Sequence, residues 1–207
     1  GIVIDGTSSM EKFYPAVKSA IKESIRVFDD SKYKVKEGIV IYRDYSDGEY
    51  ITEKVKLTNP GNPNLYSFLD TGGKYGIKSG SGDKTYEEAL YYGINTAIDQ
   101  LGFDPEQSNI LLVIGDCGND RNDTKINRSD IVNKLTQNNI NLIGFQVRQG
   151  SSDAFGLFNN QVGLLMKQGL EKRYAALIAN TKVTLTDNEN TAVKIKETKD
   201  GYKLVND

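Results

Sequence analysis

A chain of 207 residues with 26 basic and 28 acidic side chains is long enough for one two-sided core, and its formal net charge of -2 offers no basic field for nucleic acid. Histidine is absent and cysteine occurs once, at Cys117, which excludes an internal disulfide and a cysteine-based zinc site and removes the usual general base. No apolar run approaches the roughly 20 residues that cross a bilayer, so direct membrane insertion is not expected either.

The opening Gly1-Ile2-Val3-Ile4-Asp5 reads as a buried strand, Ile2 to Asp5, with none of the basic and apolar blocks of an export signal before it. The natural polypeptide is therefore expected to continue upstream. Pro15 suits the first turn of a helix from about Pro15 to Phe28, with Val17, Ile21, Ile25 and Phe28 on one face. Strands at Glu37 to Tyr42 and Tyr50 to Leu57 flank Asp44-Tyr45-Ser46-Asp47-Gly48, whose turn chemistry predicts an antiparallel hairpin at a sheet edge.

A Gly/Ser/Lys-rich loop, Gly72 to Gly82, is expected to be mobile and leads to a helix from about Tyr86 to Leu101. Leu90, Ile94, Ala97, Ile98 and Leu101 form its apolar stripe, and Thr85-x-x-Glu88 reads as a capping box at its start. A strand at Asn109 to Gly115, a helix at Ser129 to Asn138, a strand at Ile140 to Val147 and a helical stretch within Asp153 to Asn180 follow. This alternation predicts an α/β fold of the Rossmann-like, doubly wound kind: a mostly parallel central sheet with one antiparallel edge strand and helices on both faces.

From Val183 the pattern changes to Val183-Thr184-Leu185-Thr186, Val193-Lys194-Ile195-Lys196 and, beyond Asp200-Gly201, Tyr202-Lys203-Leu204-Val205. These predict a C-terminal β addition, giving a domain at 1–181 and a hairpin extension at 182–207 packed on or beside it.

In a doubly wound sheet, ligands sit beyond the carboxyl ends of the strands. Three segments there are rich in oxygen: Asp5-Gly6-Thr7-Ser8-Ser9-Met10, Gly80-Ser81-Gly82-Asp83-Lys84-Thr85 and Gly115-Asp116-Cys117-Gly118-Asn119-Asp120. Carboxylates and hydroxyls without imidazole or thiolate suit a hard cation in octahedral geometry, magnesium or manganese more than zinc. Gly6 lets such a loop bend closely.

These segments resemble the von Willebrand factor A (VWA) family, whose metal-ion-dependent adhesion site (MIDAS) carries a D-x-S-x-S motif, a threonine or acidic ligand from a middle loop and an aspartate after the fourth strand. Ile4-Asp5-Gly6-Thr7-Ser8-Ser9-Met10 matches the first motif with a threonine for the first serine, and Val113-Ile114-Gly115-Asp116 looks like the strand-four segment. Tyr42-Arg43-Asp44 and Gly80-Ser81-Gly82-Asp83-Lys84-Thr85-Tyr86-Glu87 resemble one branch with Y-R-D and G-G-G-D-x-P-E segments. Thr85-Tyr86 stands where P-E is expected, with Glu87 one step late.

The resemblance covers roughly residues 1 to 150. It implies a Mg²⁺ site, with Mn²⁺ or Ca²⁺ as alternatives, formed by Asp5, Thr7, Ser9 and Asp116 with Asp83 or Thr85 in the middle role. It further implies a non-enzymatic module whose protein partner supplies an acidic side chain to the ion. A similarity to the VWA portion of TssR-type components of type VI secretion systems implies a larger bacterial protein of the envelope, periplasm or a secretion machine.

Other readings of the same residues stand beside this one. Thr7 or Ser9 can cap the first helix, Thr85 can cap the helix that follows it, and Arg43-Asp44 reads better as a strand-end ion pair or turn device. Asp120 reads as a turn residue and Cys117 as small and structural. A haloacid-dehalogenase-type phosphatase also begins with D-x-D-G-T after a strand, but Val3 occupies the nucleophile position here. A structural subunit of a secretion assembly with a vestigial metal site is the remaining alternative.

Overall fold

A computed structural model describes residues 1–70, 86–148, 150–181, 193–198 and 201–206, with side chains to residue 175. Two compact units are present, Gly1–Gly169 and Leu170–Asp207. In the first, a five-stranded sheet has the order β3-β2-β1-β4-β5, formed by β1 (Ile2–Asp5), β2 (Glu37–Tyr42), β3 (Thr52–Thr58), β4 (Asn109–Gly115) and β5 (Ile140–Gln146). All neighbours are parallel except β2 and β3, which pair antiparallel at the edge as the turn chemistry between them predicted.

The strands sort the core by their two-residue period. Every residue of β1 and β2 is buried, as befits central strands covered on both faces. Val3, Val40 and Tyr42 point to one layer, with Leu90, Ile94 and Ala97 of α3 (Leu90–Gln100) and Ile131 and Leu135 of α4 (Arg128–Gln137). Ile2, Ile4, Ile39 and Ile41 point to the other, with Val17, Ile21 and Ile25 of α1 (Tyr14–Asp29) and Leu65 and Leu69 of α2 (Pro63–Leu69). Burying each such side chain contributes roughly 1.5–3 kcal/mol, so the alternation fixes the register of the whole sheet.

Three local expectations are corrected. Phe28 continues the spacing of the α1 stripe but is 39% exposed at the helix end. A short helix, α2, forms where none was predicted, started by Asn62, whose side chain accepts from the Asn64 N–H, and by Pro63 in the first turn.

The third correction concerns the start of α3, which lies at Leu90 rather than near Tyr86. Residues just before it are tied to distant backbone instead. The Glu88 N–H donates to the Gly118 carbonyl, the Asp120 N–H to the Glu88 carbonyl and the Ala89 N–H to the Arg43 carbonyl. Those non-local bonds satisfy the backbone that a helical turn would otherwise use, and they cancel the capping box: the α3 N-cap is Ala89, without a side-chain cap. The last helix of the first unit begins at Asp153, the start of α5 (Asp153–Thr181).

In the second unit, β6 (Val193–Thr198) and β7 (Gly201–Asn206) pair antiparallel in the hairpin read from Asp200-Gly201. Val183–Thr186 lies outside the described residues, as does the Gly72 to Gly82 loop. Among the described residues no helix is long and apolar enough to cross a membrane.

Candidate metal centre

The parallel pairing of β1 with β4 places the turn after Asp5 beside Asp116, which directly follows β4. Asp5 and Asp116 are fully buried and Thr7 nearly so. Asp5 folds the turn onto itself, since its Oδ1 accepts both the Thr7 N–H at 2.9 Å and the Thr7 hydroxyl at 2.7 Å. Thr7 Oγ1 lies 3.2 Å from Ser9 Oγ, and the Ser9 hydroxyl donates to Asp116 Oδ1 at 3.1 Å. The four residues assigned from the first and last motifs are therefore brought into one chain of oxygens.

The backbone allows this closeness at two glycines. A Cβ on Gly6 would stand 2.5 Å from Ile41 Cγ2, and one on Gly115 would stand 2.6 Å from the Tyr42 hydroxyl and 3.3 Å from Asp5 Cβ. Gly6 N–H also donates to the Tyr42 carbonyl at 2.7 Å, and the Tyr14 hydroxyl donates to the Thr7 carbonyl at 2.7 Å. On the Asp116 side, Gln146 Nε2 donates to the Asp116 carbonyl and to the Phe155 carbonyl, fixing the loop against the start of α5.

Neither hydroxyl is a helix cap. A 3-10 turn over Ser8–Phe13 precedes α1, and no side-chain cap bond starts either element. Arg43 and Asp44 are structural, as their sequence context suggested. Arg43 pairs with Glu53 at 2.8 Å, both largely buried, and Asp44 forms a reciprocal capping box with Asp47 over the turn Tyr45–Tyr50. Asp120 accepts from the Asn122 N–H in a turn. Cys117 packs on Ala154 and Phe155, and burial, followed by the charge of Asp116, pushes its thiol well above the ordinary range.

Asp83 and Thr85, the two candidates for the middle-loop role, lie outside the described residues. The structure instead brings in Glu88, 5% exposed, whose carboxylate interacts with the Thr7 side chain and with Asp5. Glu88 forms an isolated bridge to Asn119, while the neighbouring Glu87 is partly exposed and pairs with Arg121. Sequence reasoning spent Glu88 on the capping box. The available signal was the doublet Glu87-Glu88 where the family segment ends in a glutamate, followed at once by the apolar Ala89-Leu90.

The electrostatics of the cluster are those of uncompensated acids. Burial, then the charge of Asp116, raises Asp5 to about 7 despite two opposing bonds from Thr7. Burial, then the charges of Asp5 and Asp44, raises Glu88 as well. Asp5 Oδ2, Glu88 Oε2, Asp116 Oδ2 and the Tyr42 hydroxyl are buried without a hydrogen-bond partner. Buried polar atoms are ordinarily satisfied, so three carboxylate oxygens and a hydroxyl left without partners are chemically suited to a cation.

Among the described residues no three acidic side chains form a preformed cage on their own. The donor set is instead mixed, with the hydroxyls of Thr7 and Ser9 between carboxylates, which suits a small hard ion that keeps water or an external ligand. A larger cleft of about 780 Å³ lies along α1 and Tyr66, away from this cluster, and most of its charges are paired internally, as Lys22–Asp70 and Arg26–Glu23.

No curated protein matches the chain significantly. Among solved structures it is similar to the pilus adhesin SpaC of Lactobacillus rhamnosus GG in an open conformation, at 18% identity and a TM-score of 0.45, over 56% of this chain and 14% of that one. It is also similar to proximal thread matrix protein 1 of the mussel byssus, described with a zinc-occupied MIDAS motif, at 12% identity and a TM-score of 0.47. That likeness covers 81% of this chain and 46% of the mussel protein, so the chain spans less than half of either structure. The sequence profile of the TssR protein VWA domain matches residues 2–194, nearly the whole chain, and the protein belongs to that family of VWA domains.

Proposed function

We propose that this VWA domain is a non-enzymatic binding module that joins a protein partner through a divalent cation, Mg²⁺ by the chemistry of its donors, within a bacterial secretion assembly. The observation that carries the cation is the group of orphaned buried oxygens on Asp5, Glu88 and Asp116 beside the hydroxyls of Thr7 and Ser9. Asp5, Ser9, Thr7 and Asp116 would hold the ion, with Glu88 in the middle-loop position.

When bound, the cation supplies a coordination position that an acidic side chain of the partner can take. The protein's own residues do the rest. Asp5 shapes the turn, Ser9 links it to Asp116, Gln146 anchors Asp116 to α5, and the glycines admit the backbone closely. VWA domains commonly mediate protein association, which supports this use of the site.

Isothermal titration of Mg²⁺, Mn²⁺ and Ca²⁺ into chelator-treated protein tests the reading, with Asp5→Ala as the control. Saturable binding that disappears in a folded Asp5→Ala variant supports it. A wild-type chain that takes up none of the three ions leaves a vestigial site, and the domain is then a structural subunit.

A further inference from the structure

A shallow cleft of about 400 Å³ adjoins the candidate centre and is lined by Ser8, Ser9, Glu11, Lys12 and Arg148. Ser9 is shared: it borders this cleft and donates to Asp116 inside the centre. The centre and the cleft therefore share Ser9.

Their signs are opposite. The centre gathers buried carboxylates, whereas the cleft carries two cations against one acid, with two serine hydroxyls as further donors. Both cations are steadied by rings rather than by acids. The Arg148 guanidinium lies 4.9 Å from the ring of buried Phe155, and Lys12 Nζ lies 5.0 Å from that of Phe13. Among the described residues neither forms an ion pair. Phe155 also packs on Tyr86, which is 51% exposed, so the same wall presents an aromatic rim.

We propose that this cleft is an anion subsite for a second acidic side chain of the partner, so that the segment recognised carries two carboxylates, one for the cation position and one for Lys12 and Arg148. The inference rests on the cation-dependent reading above. In an extended segment, residues two apart share a face about 7 Å apart, which suits two sites meeting at Ser9. Glu11 sets a limit on the fit, since its exposed carboxylate opposes the incoming anion.

Terminally blocked glycine peptides with one glutamate, or with a second glutamate one, two or three positions along, provide the probe. They are titrated by NMR into the full 207-residue chain in Mg²⁺ at low ionic strength, after Mg²⁺ uptake has been measured separately. At least one two-glutamate peptide is expected to bind roughly three- to tenfold tighter than the one-glutamate peptide. That gain should vanish in Lys12→Gln/Arg148→Gln and grow in Glu11→Gln, with Mg²⁺ uptake unchanged in all three chains.

If no two-glutamate peptide gains over the single one, or the gain survives Lys12→Gln/Arg148→Gln, the subsite is wrong while the cation reading stands. If Mg²⁺ binds but neither class of peptide shows Mg²⁺-dependent binding, the acidic-partner reading fails and the subsite fails with it.

Discussion

Ser9 Oγ donates to Asp116 Oδ1 at 3.1 Å across 107 positions of sequence, and this bond ties the loop after β1 to the loop after β4. Because Ser9 is half-buried and its hydroxyl points at a carboxylate that would hold the ion, Ser9→Ala removes a donor atom without opening the core. The expected result is Mg²⁺ affinity lower by about tenfold, with thermal stability of the chelator-treated protein changed by about 1 kcal/mol or less. Calorimetric titration paired with a melting curve checks both halves.

Glu88 and Glu87 allow a comparison between neighbours. Glu88→Gln keeps the shape of a buried side chain and removes a carboxyl whose charged form its surroundings disfavour, so above the ordinary carboxylate range the ion-free protein should melt higher while Mg²⁺ binds more weakly. Glu87→Gln removes a surface partner of Arg121 and should leave Mg²⁺ affinity within about twofold. Equal effects from the two substitutions would remove Glu88 from the centre.

The acid cluster also sets a pH dependence with a definite sign. Asp5 and Glu88 titrate higher in the folded protein than in the unfolded chain, so the folded state holds their protons longer. Their contribution to stability is complete below the ordinary carboxylate range near about 4 and is lost as pH rises through the folded value, about 7 for Asp5. Chelator-treated protein should therefore melt several degrees lower at pH 8 than at pH 5. Mg²⁺ should raise the melting temperature more at pH 8, where Asp5 is charged, and Asp5→Asn should lessen the pH difference to the part that Glu88 contributes.

Tyr42 and Gly115 make a packing test of the wall behind Asp5. Gly115→Ala drives a methyl group to 2.6 Å from the Tyr42 hydroxyl and should cost about 1–3 kcal/mol. Tyr42→Phe removes a buried hydroxyl that has no partner, so alone it should be neutral or stabilising. In combination it should recover part of the Gly115→Ala loss. A double-mutant cycle in denaturant measures the recovery, and strict additivity would mean that the two groups do not meet.

The sheet was legible because β1, β2 and β4 carry the apolar runs Ile2 to Ile4, Ile39 to Tyr42 and Ile110 to Ile114, most of whose residues are buried. Asp5, Thr7, Ser9 and Asp116 were legible because short spacing and strand ends announce them. Glu88 was not, because its position depends on hydrogen bonds to Gly118, Asp120 and Arg43 that lie far from it in sequence, and a local helix signal competed for the same residue. The α2 helix was missed for a related reason: at seven residues it is too short for periodicity to show, and only Asn62-Pro63 marked it. Lys12 and Arg148 carry no motif at all: Lys12 lies in the same 3-10 turn as Ser9, and only the pairing of distant strands brings Arg148 beside them.

The oxygens of the centre come from residues 5 to 9, 88 and 116, so none of its parts exists as a site until β1 has paired with β4 and the segment at Glu88 has closed on Asn119. A nascent or partly unfolded chain consequently lacks the assembled set of donors. Mg²⁺ would then act as a brake on unfolding rather than a guide to folding: opening rates should slow with ion concentration while refolding rates stay level, which makes the ion a late fastener on a finished sheet.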